Sequence, residues 1–438
     1  MPSTATLCTR SSRAPMASSV VRRCCCQSLI WGENRGRKSV DLGAVQKVPP
    51  SGTPTMRMLI LGAGLQGSAC AYDLLQNDAI TEVRLADKSV DHLPKFLQPY
   101  VGGERLKLIT LDVKEAGAVA KAMDGVKAVM CALPYYFNKP MTEAAIAAGA
   151  HFCDLGGNTE IVQDQKTLDA AAKAKGVTVV PDCGLAPGMV NILAQLGIDR
   201  LDETQSVRIY VGGLPQEPTG PLKYQIVYSI EGVLDYYTTL SWIVRDKRRV
   251  QVAALSEIEP VHFDAPVGEL EAFHTAGGLS TMAHRYEGKI PEMEYKTLRY
   301  PGHAKIMEAI RELGLIDLAP VNVKGQQVSP RDVAIAQMHP RLFKKESPDL
   351  VALRVVVKGT KGGKPQAHTF ELVDRFDAKT GISAMMRTTG YSLSITGQLQ
   401  AMGKVQPNGV HTPDECMPGD AYVAELGKRG ILIRQTVS

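Results

Sequence analysis

The sequence predicts an α/β protein in which a Rossmann doubly wound parallel sheet is followed by a second α+β substrate domain containing a mostly antiparallel sheet. Short apolar strands alternate with helical patterns over residues 58–181, as in a parallel sheet covered by helices on both faces. Residues 62–67 fit G-x-G-x-x-G directly after the first strand. After Pro187, residues 206–230 and 350–376 alternate apolar and polar side chains with period two, which is typical of antiparallel strands with one covered face.

The size and composition of the chain are those of a globular protein with more than one domain. Its 438 residues are enough for two or three domains, and 44% hydrophobic with 22% charged residues is ordinary for globular proteins. There is no run of about 18 apolar residues, so no transmembrane helix is predicted. Aromatic residues make up only 5%, which argues against a base-stacking surface for nucleic acid.

The basic character of the chain belongs to its first 55 residues. Residues 1–55 hold eight Lys or Arg and two acids, so the totals of 50 basic and 45 acidic residues leave 42 and 43 for residues 56–438. A net charge of −1 over that part offers no general attraction for polyanions. We therefore predict neither a nucleic acid nor a membrane as a partner.

Residues 1–55 form an extension that we leave out of the predicted fold. They are rich in Ser and Arg and poor in acids, as in an organellar transit peptide, which would direct the protein to mitochondria or plastids. Alternatively, translation begins at Met56 or Met58, the upstream residues are not part of the protein, and the protein is cytoplasmic. The sequence leaves both interpretations open.

The cysteines outside this extension predict no metal site. They are isolated in the sequence, without a CxxC pair or a Cys/His cluster at zinc-ligand spacing. We expect them to be buried thiols in a reducing compartment. These five residues are Cys70, Cys131, Cys153, Cys183 and Cys416.

The elements of the first domain follow one another at the spacing of βα units. A strand over 58–61 leads into a helix whose apolar face carries Ala69, Leu74 and Leu75. The remaining strands are predicted over 82–87, 106–111, 128–133, 152–155 and 177–181, and the remaining helices over 116–123, 142–148 and 168–175. A late helix is predicted over 391–402.

The glycine-rich loop is a candidate phosphate-binding loop. It consists of Gly62, Gly64, Leu65, Gln66 and Gly67 together with one alanine. The first glycine permits the tight turn, the second lets the backbone approach a diphosphate, and the third lets the helix pack closely on the strand. The N-terminus of the helix presents free N–H groups to the anion. Because a strand precedes the loop and a helix follows it, dinucleotide binding is a better interpretation than an ordinary βα turn.

The ends of the second and third strands are candidate contacts of the adenosine half of a dinucleotide. Asp87 lies 20 residues after Gly67, where a carboxylate accepts hydrogen bonds from ribose hydroxyls and repels a 2′-phosphate. The predicted cofactor is therefore NAD rather than NADP, although the adjacent Lys88 would soften that preference. We expect Asp112 and Val113 to border the adenine.

Eight short motifs are spread over the rest of the chain. They are LGAGLQG (61–67), ALPYYFN (132–138), DLGG (154–157), PDCGLAPGM (181–189), YVGGLP (210–215), SIEG (229–232), EAFHTAGG (271–278) and LRYPGH (298–303). Through these motifs, nearly all of residues 56–435 resembles the saccharopine dehydrogenase-like family. The segments at 210–240 and 271–303 resemble its lysine 6-dehydrogenase branch in particular.

The resemblance implies an NAD-dependent oxidation of the ε-amino carbon of L-lysine. The products would be ammonia and 2-aminoadipate 6-semialdehyde, which cyclises to piperideine-6-carboxylate. The resemblance also implies a homo-oligomer, and a chain divided into an NAD-binding Rossmann domain (56–187), a substrate domain (188–385) and a C-terminal segment (386–438) that packs back on the first domain.

The ends of two further strands are candidate contacts of the nicotinamide half. Leu133, Pro134 and Tyr135 follow one strand, and we expect them beside the nicotinamide ribose, with core packing as the alternative for the tyrosine. Asp154 and Leu155 end the next strand, where the aspartate could instead cap a loop. Both places lie at the carboxyl edge of the parallel sheet, where ligands bind in such folds.

Three residues of the second domain are candidates for binding the substrate. Arg299 offers a bidentate fork to the substrate carboxylate, unless it is a surface arginine paired with an acid. Thr275 lies beside the glycines of a loop that would cover the substrate. Tyr224 would reach the pocket from a strand, with core packing as the alternative.

Four residues are candidates for handling the proton of the reacting amine, which is protonated in neutral water and cannot release hydride in that state. His274 and His303 are candidates because an unperturbed imidazole titrates near neutral pH, which suits proton transfer, although a lone histidine is more often a structural residue. Glu231 would pair with the substrate ammonium or cap a helix. Asp182 is a candidate base at a strand end.

Two other functions stay open at this point. A saccharopine-type or carboxyspermidine-type dehydrogenase acting on a secondary amine would keep the fold but needs a longer pocket and a second basic anchor. A catalytically inert NAD(P)-binding sensor or scaffold would also use the glycine loop, although such a protein does not need His274 and Arg299.

Overall fold

The computed structural model describes residues 56–344 and 347–438. The interpretations of residues 1–55 therefore lie outside the described residues. Within the described ranges, none of the helices combines the length and the apolar character that crossing a bilayer requires.

The first part of the chain alternates strands and helices as the sequence predicts. Each predicted strand and helix between residues 58 and 181 is present, with bounds that differ by a few residues. The elements are β1 (Met56–Leu61), α1 (Leu65–Leu75), β2 (Ile80–Asp87), β3 (Leu106–Thr110), α2 (Ala116–Met123), β4 (Ala128–Cys131), α3 (Asn138–Ala148), β5 (His151–Asp154), α4 (Thr159–Lys166), α5 (Asp169–Lys175), β6 (Thr178–Val180) and α6 (Met189–Asp199), with short 3-10 helices at Lys95–Tyr100 and Tyr135–Phe137.

The second part of the chain is richer in strands. It begins with a strand of 13 residues and ends with a short edge strand. Its elements are β7 (Glu203–Pro215), α7 (Ile230–Thr238), β8 (Ser241–Arg245), β9 (Arg248–Val252), β10 (Glu259–Phe263), β11 (Gly268–His274), α8 (Met282–Tyr286), β12 (Glu292–Arg299), α9 (His303–Glu312), β13 (Val321–Val323), β14 (Gln326–Val328), α10 (Pro330–Leu342), β15 (Asp349–Lys361), β16 (Lys364–Arg375), α11 (Ala384–Ala401), β17 (Gly409–Val410), α12 (Pro413–Cys416), α13 (Gly419–Lys428) and β18 (Arg434–Val437).

The first sheet has seven parallel strands in the order β3-β2-β1-β4-β5-β6-β17. The order of its first six strands is that of a dinucleotide-binding Rossmann sheet, which confirms the predicted fold class. The direction of strand order reverses at β1, which pairs with both β2 and β4. Ligands bind outside the carboxyl ends of the strands at such a reversal.

The second sheet has nine strands and is mostly antiparallel, as predicted. Its main path is β10-β11-β12-β7-β15-β16-β18, and β8 and β9 extend from β12. Only the pair β12 and β7 is parallel, with Thr297 opposite Val211. This pair matters for the site, because alternate residues of both strands face the first domain.

One stretch predicted as strand is different in the structure. The prediction covered 206–230, but β7 ends at Pro215 and the chain then runs without a strand until α7 begins at Ile230. Pro218 and Pro221 lie in this stretch, and proline has no N–H to donate to a neighbouring strand. The residues that leave the sheet here form part of the site described below.

The apolar core runs continuously from the first sheet into the second. Helix α6 connects the two, with Val190 and Leu193 buried in the same cluster as Val355 and Phe370 of the second sheet. Helix α11 crosses the first domain next to α1, and its Ser394 donates a hydrogen bond to the buried Asp73 at 2.7 Å.

The end of the chain contributes to both sheets. Strand β17 pairs with β6 and extends the parallel sheet, whereas β18 pairs with β16 of the second sheet. The segment after residue 386 therefore does more than return to the first domain, because its last residues close the edge of the second sheet.

Candidate functional site

A cleft of about 720 Å³ lies between the two sheets and is the candidate site. One side is formed by the loops that follow β4, β5 and β6, at the carboxyl edge of the parallel sheet. The other side is formed by α7 and by residues of β7 and β12. This is the place where a Rossmann fold binds a ligand at its strand-order reversal.

The glycine loop after β1 has the geometry of a phosphate cradle. Gly62 has a φ of +101°, and a Cβ there would lie 2.8 Å from the Ala132 carbonyl oxygen of β4's loop. A Cβ at Gly67 would collide with the Gly62 carbonyl oxygen, so α1 can start this close to the strand only without a side chain. A Cβ at Gly64 meets no atom within 4 Å, which leaves the space above the loop open.

The N-terminus of α1 is free to bind an anion. Its N-cap is Gly64, which makes no side-chain capping bond, so the first N–H groups of the helix remain available as hydrogen-bond donors. Leu65 is half exposed at the helix start, and Gln66 lines the cleft. An open, uncapped helix start behind a bare glycine turn fits the diphosphate of a dinucleotide.

Asp87 lies beside this loop at the end of β2. Its Oδ2 accepts a hydrogen bond from the Ala63 N–H at 2.7 Å. Lys88 turns away toward Asp112, with Nζ and Oδ2 3.3 Å apart. The backbone N–H of Lys114 and the Lys88 ammonium together lower the pKa of Asp112. Val113 packs with the apolar cluster on that face of the sheet.

The loops after β4 and β5 form the floor of the cleft. Leu133, Pro134, Tyr135 and Leu155 all line it. Asp154 does not, because its carboxylate is fully buried below them and accepts hydrogen bonds from Gly156 N–H, Asp182 N–H and Gln165. Burial raises the pKa of Asp154 to about 6. Its position is that of a residue that holds the loops in shape.

Asp182 lies directly under the cleft floor and is buried. Its Oδ2 accepts a hydrogen bond from Ser280 Oγ of the second domain, and its Oδ1 has no hydrogen-bond partner among the described residues. A Cβ on Gly156 would collide with Oδ1, so this glycine keeps the carboxylate against the floor. Burial raises the pKa of Asp182 to about 7, and the nearby Asp154 adds to that rise.

Arg299 lines the cleft from the end of β12 although its side chain is buried. Its Nε donates to Tyr237 Oη at 3.1 Å and its Nη1 to the Leu298 carbonyl at 2.8 Å. The guanidinium lies over the Tyr224 ring at 4.8 Å. No carboxylate of the described residues forms a salt bridge with it, so a buried cation faces the cleft without its own counter-ion.

The two other predicted substrate residues lie behind Arg299. Tyr224 is buried beneath the guanidinium and does not line the cleft, and its Oη has no partner within the described part of the chain. Thr275 is buried as well, and its hydroxyl lies 2.7 Å from that of Thr297, which does line the cleft. The structure therefore brings both residues near the site without exposing them to a ligand.

His303 is also behind the cleft. Its Nδ1 lies 2.9 Å from the Leu222 carbonyl oxygen and its Nε2 lies 3.0 Å from Tyr237 Oη. Burial and the nearby Arg299 guanidinium lower its pKa to about 3. A neutral imidazole without access to the cleft does not transfer protons to a ligand, so the predicted catalytic role is not supported by this position.

His274 lies on the opposite face of the second sheet. It is opposite Lys296 in the pairing of β11 with β12, whereas the cleft-facing Thr297 and Arg299 are opposite Phe273 and Glu271. Because side chains alternate along a strand, His274 cannot face the same side as Thr275 or Arg299. We therefore do not assign it a catalytic role.

Instead, His274 belongs to a network of charges. Its Nε2 lies 3.2 Å from Glu257 Oε2 and 3.7 Å from Glu294 Oε2, a grouping with the residue types of a metal site. The carboxylates already have cationic partners, since Arg245 lies 2.9 Å from Glu257 and Arg208 3.2 Å from Glu294. An ion-pair network explains the cluster without a metal ion.

Glu231 is an acid at the edge of the cleft. It lies in the first turn of α7, lines the cleft and is exposed. Ser229, the N-cap of α7, donates a hydrogen bond to it at 2.8 Å and itself accepts one from the Gly232 N–H. The serine does the capping, which leaves the carboxylate available to a ligand.

Sequence reasoning missed the tyrosines that surround the site. Tyr228, Tyr236 and Tyr295 line the cleft, and Tyr237 binds Arg299 from behind. A signal existed for three of these four, because together with Tyr224 they place four of the chain's 14 tyrosines within residues 224–237. Met385 and Thr389, from the start of α11, also line the cleft and carried no such signal.

The fold and the site together define a two-domain, dinucleotide-binding protein of the oxidoreductase class. Residues 58–180 match the saccharopine dehydrogenase NADP binding domain, and residues 184–431, more than half of the chain, match the saccharopine dehydrogenase C-terminal domain. The chain belongs to the saccharopine dehydrogenase family. The resemblance of the sequence motifs to this family is thereby confirmed, and these matches do not distinguish its lysine 6-dehydrogenase branch.

Curated relatives match the chain over part of their length. Saccharopine dehydrogenase [NADP(+), L-glutamate-forming] of Schizosaccharomyces pombe is 24% identical over 304 residues, which are 66% of this chain and 64% of that protein. The mitochondrial alpha-aminoadipic semialdehyde synthase of Bos taurus is 25% identical over 299 residues, which are 65% of this chain and 30% of that protein. The chain thus spans less than two thirds of the length of these relatives.

Solved structures show the same fold. Saccharopine dehydrogenase (L-Glu forming) from Saccharomyces cerevisiae superposes with a TM-score of 0.71 at 20% identity, covering 87% of this chain and 100% of that one. The homospermidine synthase from Legionella pneumophila in complex with NAD superposes with a TM-score of 0.63 at 11% identity, covering 87% and 91%. The family match over residues 58–180 shows a binding domain for an NAD(P)-type dinucleotide, without distinguishing NAD from NADP.

Proposed function

We propose that the protein is an NAD-dependent oxidoreductase that removes the ε-amino group of L-lysine, giving 2-aminoadipate 6-semialdehyde and ammonia. The single observation that carries this proposal is the charge of the cleft lining. Among the described residues that line it, Arg299 is the only Lys or Arg, and Glu231 and Asp235 are the only acids. Arg299 and one of these acids complement the carboxylate and the α-ammonium of an amino acid.

The two acids are not equivalent. Asp235 is neutralised by the buried Arg331, whose Nη1 lies 2.5 Å from Oδ1. Glu231 has no such cation among the described residues, and its recorded partner is the Ser229 hydroxyl. An α-amino acid would place its carboxylate on Arg299 through a bidentate pair and its ammonium toward Glu231.

The remaining lining suits the reacting end of the substrate. Leu133, Pro134 and Leu155 give the cleft floor an apolar surface. An apolar environment disfavours the charged form of an amine, which must lose its proton before hydride can leave its carbon. These residues would also keep bulk water from the reacting carbon during hydride transfer, and a water molecule would afterwards hydrolyse the resulting imine to the aldehyde and ammonia.

The cofactor would lie along the carboxyl edge of the first sheet. Gly62, Gly64 and Gly67 would hold the diphosphate, and Asp87 would accept hydrogen bonds from the adenosine ribose. Bound there, a nicotinamide dinucleotide would accept the hydride of the substrate. Asp87 supports NAD over NADP because a carboxylate repels a 2′-phosphate, and Lys88 is already paired with Asp112.

A saccharopine-type dehydrogenase is the second candidate, favoured by the names of the relatives. Saccharopine carries three carboxylates. Arg299, the only Lys or Arg among the described residues that line the cleft, would pair with one of them, and the other two would have no basic partner in that lining. A carboxyspermidine-type substrate has one carboxylate and several amines, so the cleft charge admits it. An assay is needed to separate these three substrates.

The deciding experiment measures formation of the reduced dinucleotide, NADH or NADPH, by the purified full chain with L-lysine, saccharopine or carboxyspermidine, each with NAD and with NADP. We expect turnover of L-lysine with NAD and release of one ammonia per NADH. Turnover of saccharopine alone would contradict the proposed substrate. Binding of NAD without turnover of any amino compound would support an inert sensor or scaffold instead.

A matched pair of variants links such turnover to the cleft. Arg299→Lys keeps the positive charge but loses the bidentate fork, so the KM for L-lysine should rise by about tenfold or more. Arg208→Lys changes an arginine of β7 that pairs with Glu294 away from the cleft and should leave the KM unchanged. Equal effects of both variants would contradict the assignment of Arg299.

A further inference from the structure

A chain of hydrogen bonds runs from Arg299 away from the cleft into the second domain. Arg299 Nε lies 3.1 Å from Tyr237 Oη, which lies 3.0 Å from His303 Nε2. His303 Nδ1 in turn lies 2.9 Å from the carbonyl oxygen of Leu222. All three side chains are buried.

The donor and acceptor groups at the two ends of this hydrogen-bond chain fix the direction of every hydrogen bond in it. A carbonyl oxygen only accepts, so His303 Nδ1 carries the hydrogen toward Leu222. Burial and the Arg299 guanidinium lower the pKa of His303 to about 3, so the imidazole is neutral and its Nε2 only accepts. Tyr237 therefore donates its hydroxyl hydrogen to His303 and uses its oxygen to accept from Arg299.

Aromatic packing fixes the chain in place. The His303 ring stacks on Phe273 at an interplanar angle of 6°, and it meets the Tyr237 and Tyr224 rings edge to face. The guanidinium lies over the Tyr224 ring at 4.8 Å. The long side chain of Arg299 is thus held at its Nε, at its Nη1 and over one face, although no acid pairs with it among the described residues.

We propose that Tyr237 and His303 are positioning residues that hold the Arg299 guanidinium in the orientation that binds a substrate carboxylate. This inference rests on the proposed role of Arg299 and extends it to two residues that do not line the cleft. An arginine that is already ordered loses less conformational entropy on binding, so the anchor gains affinity from residues that the substrate never touches. An anchor of this kind also favours ligands that carry a carboxylate over ligands that lack one.

The test compares Tyr237→Phe with Tyr300→Phe. Tyr300 is a buried neighbour whose hydroxyl donates to the Pro215 carbonyl at 2.9 Å. This hydroxyl is not part of the hydrogen-bond chain that holds Arg299, so the variant controls for the loss of a buried hydroxyl. L-lysine and saccharopine, both of which carry carboxylates, are titrated by calorimetry into each full-length variant in the presence of NADH. We expect about a tenfold weaker Kd in Tyr237→Phe for the ligand that the wild type binds, and an unchanged Kd in Tyr300→Phe.

Two further variants separate positioning from folding. His303→Gln keeps a side-chain oxygen that can accept from Tyr237 and should retain most of the affinity, whereas His303→Leu removes the acceptor and should resemble Tyr237→Phe. 1,5-Diaminopentane, which is lysine without its carboxylate, should bind the wild type and Tyr237→Phe equally well. Dinucleotide affinity should be the same in all variants.

The outcomes separate this inference from the proposed function. If the wild type binds saccharopine and not lysine, the proposed substrate is wrong. The positioning role is then tested by the Kd for saccharopine in Tyr237→Phe and Tyr300→Phe. If Tyr237→Phe and Tyr300→Phe bind the ligand equally well, the positioning role is overturned. It is also overturned if neither carboxylate ligand binds the wild type, or if Tyr237→Phe weakens 1,5-diaminopentane as much as lysine.

Discussion

The carboxylate of Asp87 accepts a hydrogen bond from the backbone N–H of Ala63 at 2.7 Å. This contact joins the end of β2 to the glycine loop after β1 and places the negative charge beside the open space above Gly64. It brings together two features that lie more than 20 residues apart in the sequence. In the proposed cofactor site, the loop would hold the diphosphate and Asp87 would bind the adjacent ribose.

Replacing Asp87 with Ser should change the choice of cofactor. The variant removes the charge that repels a 2′-phosphate, so the ratio of kcat/KM for NAD to that for NADP should fall by about tenfold or more. Asp91→Ser, an exposed acid a few residues further on, is the matched control and should leave the ratio unchanged. A wild-type preference for NADP, or an unchanged ratio in Asp87→Ser, would contradict the ribose role.

Substitutions at two glycines of the same loop should affect different properties, dinucleotide binding in one case and stability in the other. Gly64→Val places its side chain in open space, so the protein should fold with nearly unchanged Tm but bind the dinucleotide at least tenfold more weakly. Gly67→Val forces a side chain onto the Gly62 carbonyl oxygen, so it should lower the Tm itself. Thermal unfolding with and without NAD separates the two effects, and equal losses of Tm would argue against a free ligand space above Gly64.

Asp182→Asn should stabilise the protein, and more so at higher pH. Burial raises the pKa of Asp182 to about 7, above the ordinary value near 4, so the folded protein binds more protons than the unfolded chain between these values. Stability is therefore lost as the pH rises through this window, and the uncharged variant escapes the loss.

The measurement is the free energy of unfolding from pH 4 to pH 8 for the wild type and Asp182→Asn. We expect the difference in favour of the variant to grow up to about pH 7 and then to level off. Asp246→Asn is the matched control, because Asp246 also has a positive φ but is exposed in the β8–β9 turn. A difference that is constant with pH would show that Asp182 does not titrate in this way.

Glu231→Gln should weaken binding of the substrate and leave binding of the cofactor unchanged. The variant keeps a hydrogen-bond acceptor for Ser229 but loses the charge that, in the proposed complex, would face the substrate ammonium. The KM for L-lysine should rise several-fold, with the KM for NAD unchanged. Glu160→Gln, in the first turn of α4 outside the cleft, controls for loss of an acid at a helix start and should have no effect.

The first domain could be predicted almost completely from the sequence. Its strands are buried apolar runs, such as Met58 to Leu61, and its helices carry a regular apolar face, so each element is specified by residues close to one another. The glycine loop could be predicted for the same reason, because all its requirements lie within six residues.

For the second domain, the sequence predicted the α+β class and a mostly antiparallel sheet, but not the order of the strands. Its sheet follows from the period-two pattern of β7, β15 and β16, but the order of its strands depends on contacts between distant segments. The prolines after Pro215 end β7 early, and a pattern of alternating residues alone did not reveal that the chain leaves the sheet there.

By itself the sequence determined the fold class and the glycine loop after the first strand, because local patterns of side chains specify both. Arg299 was selected through the resemblance to a family and not through a local pattern. Tertiary structure alone decided which polar residues reach the cleft. Strand register turns His274 to the far face of its sheet, and the packing of α9 on α7 buries His303 behind Arg299. Neighbours in sequence thus acquire different roles, because the side a residue faces depends on pairing with strands far along the chain.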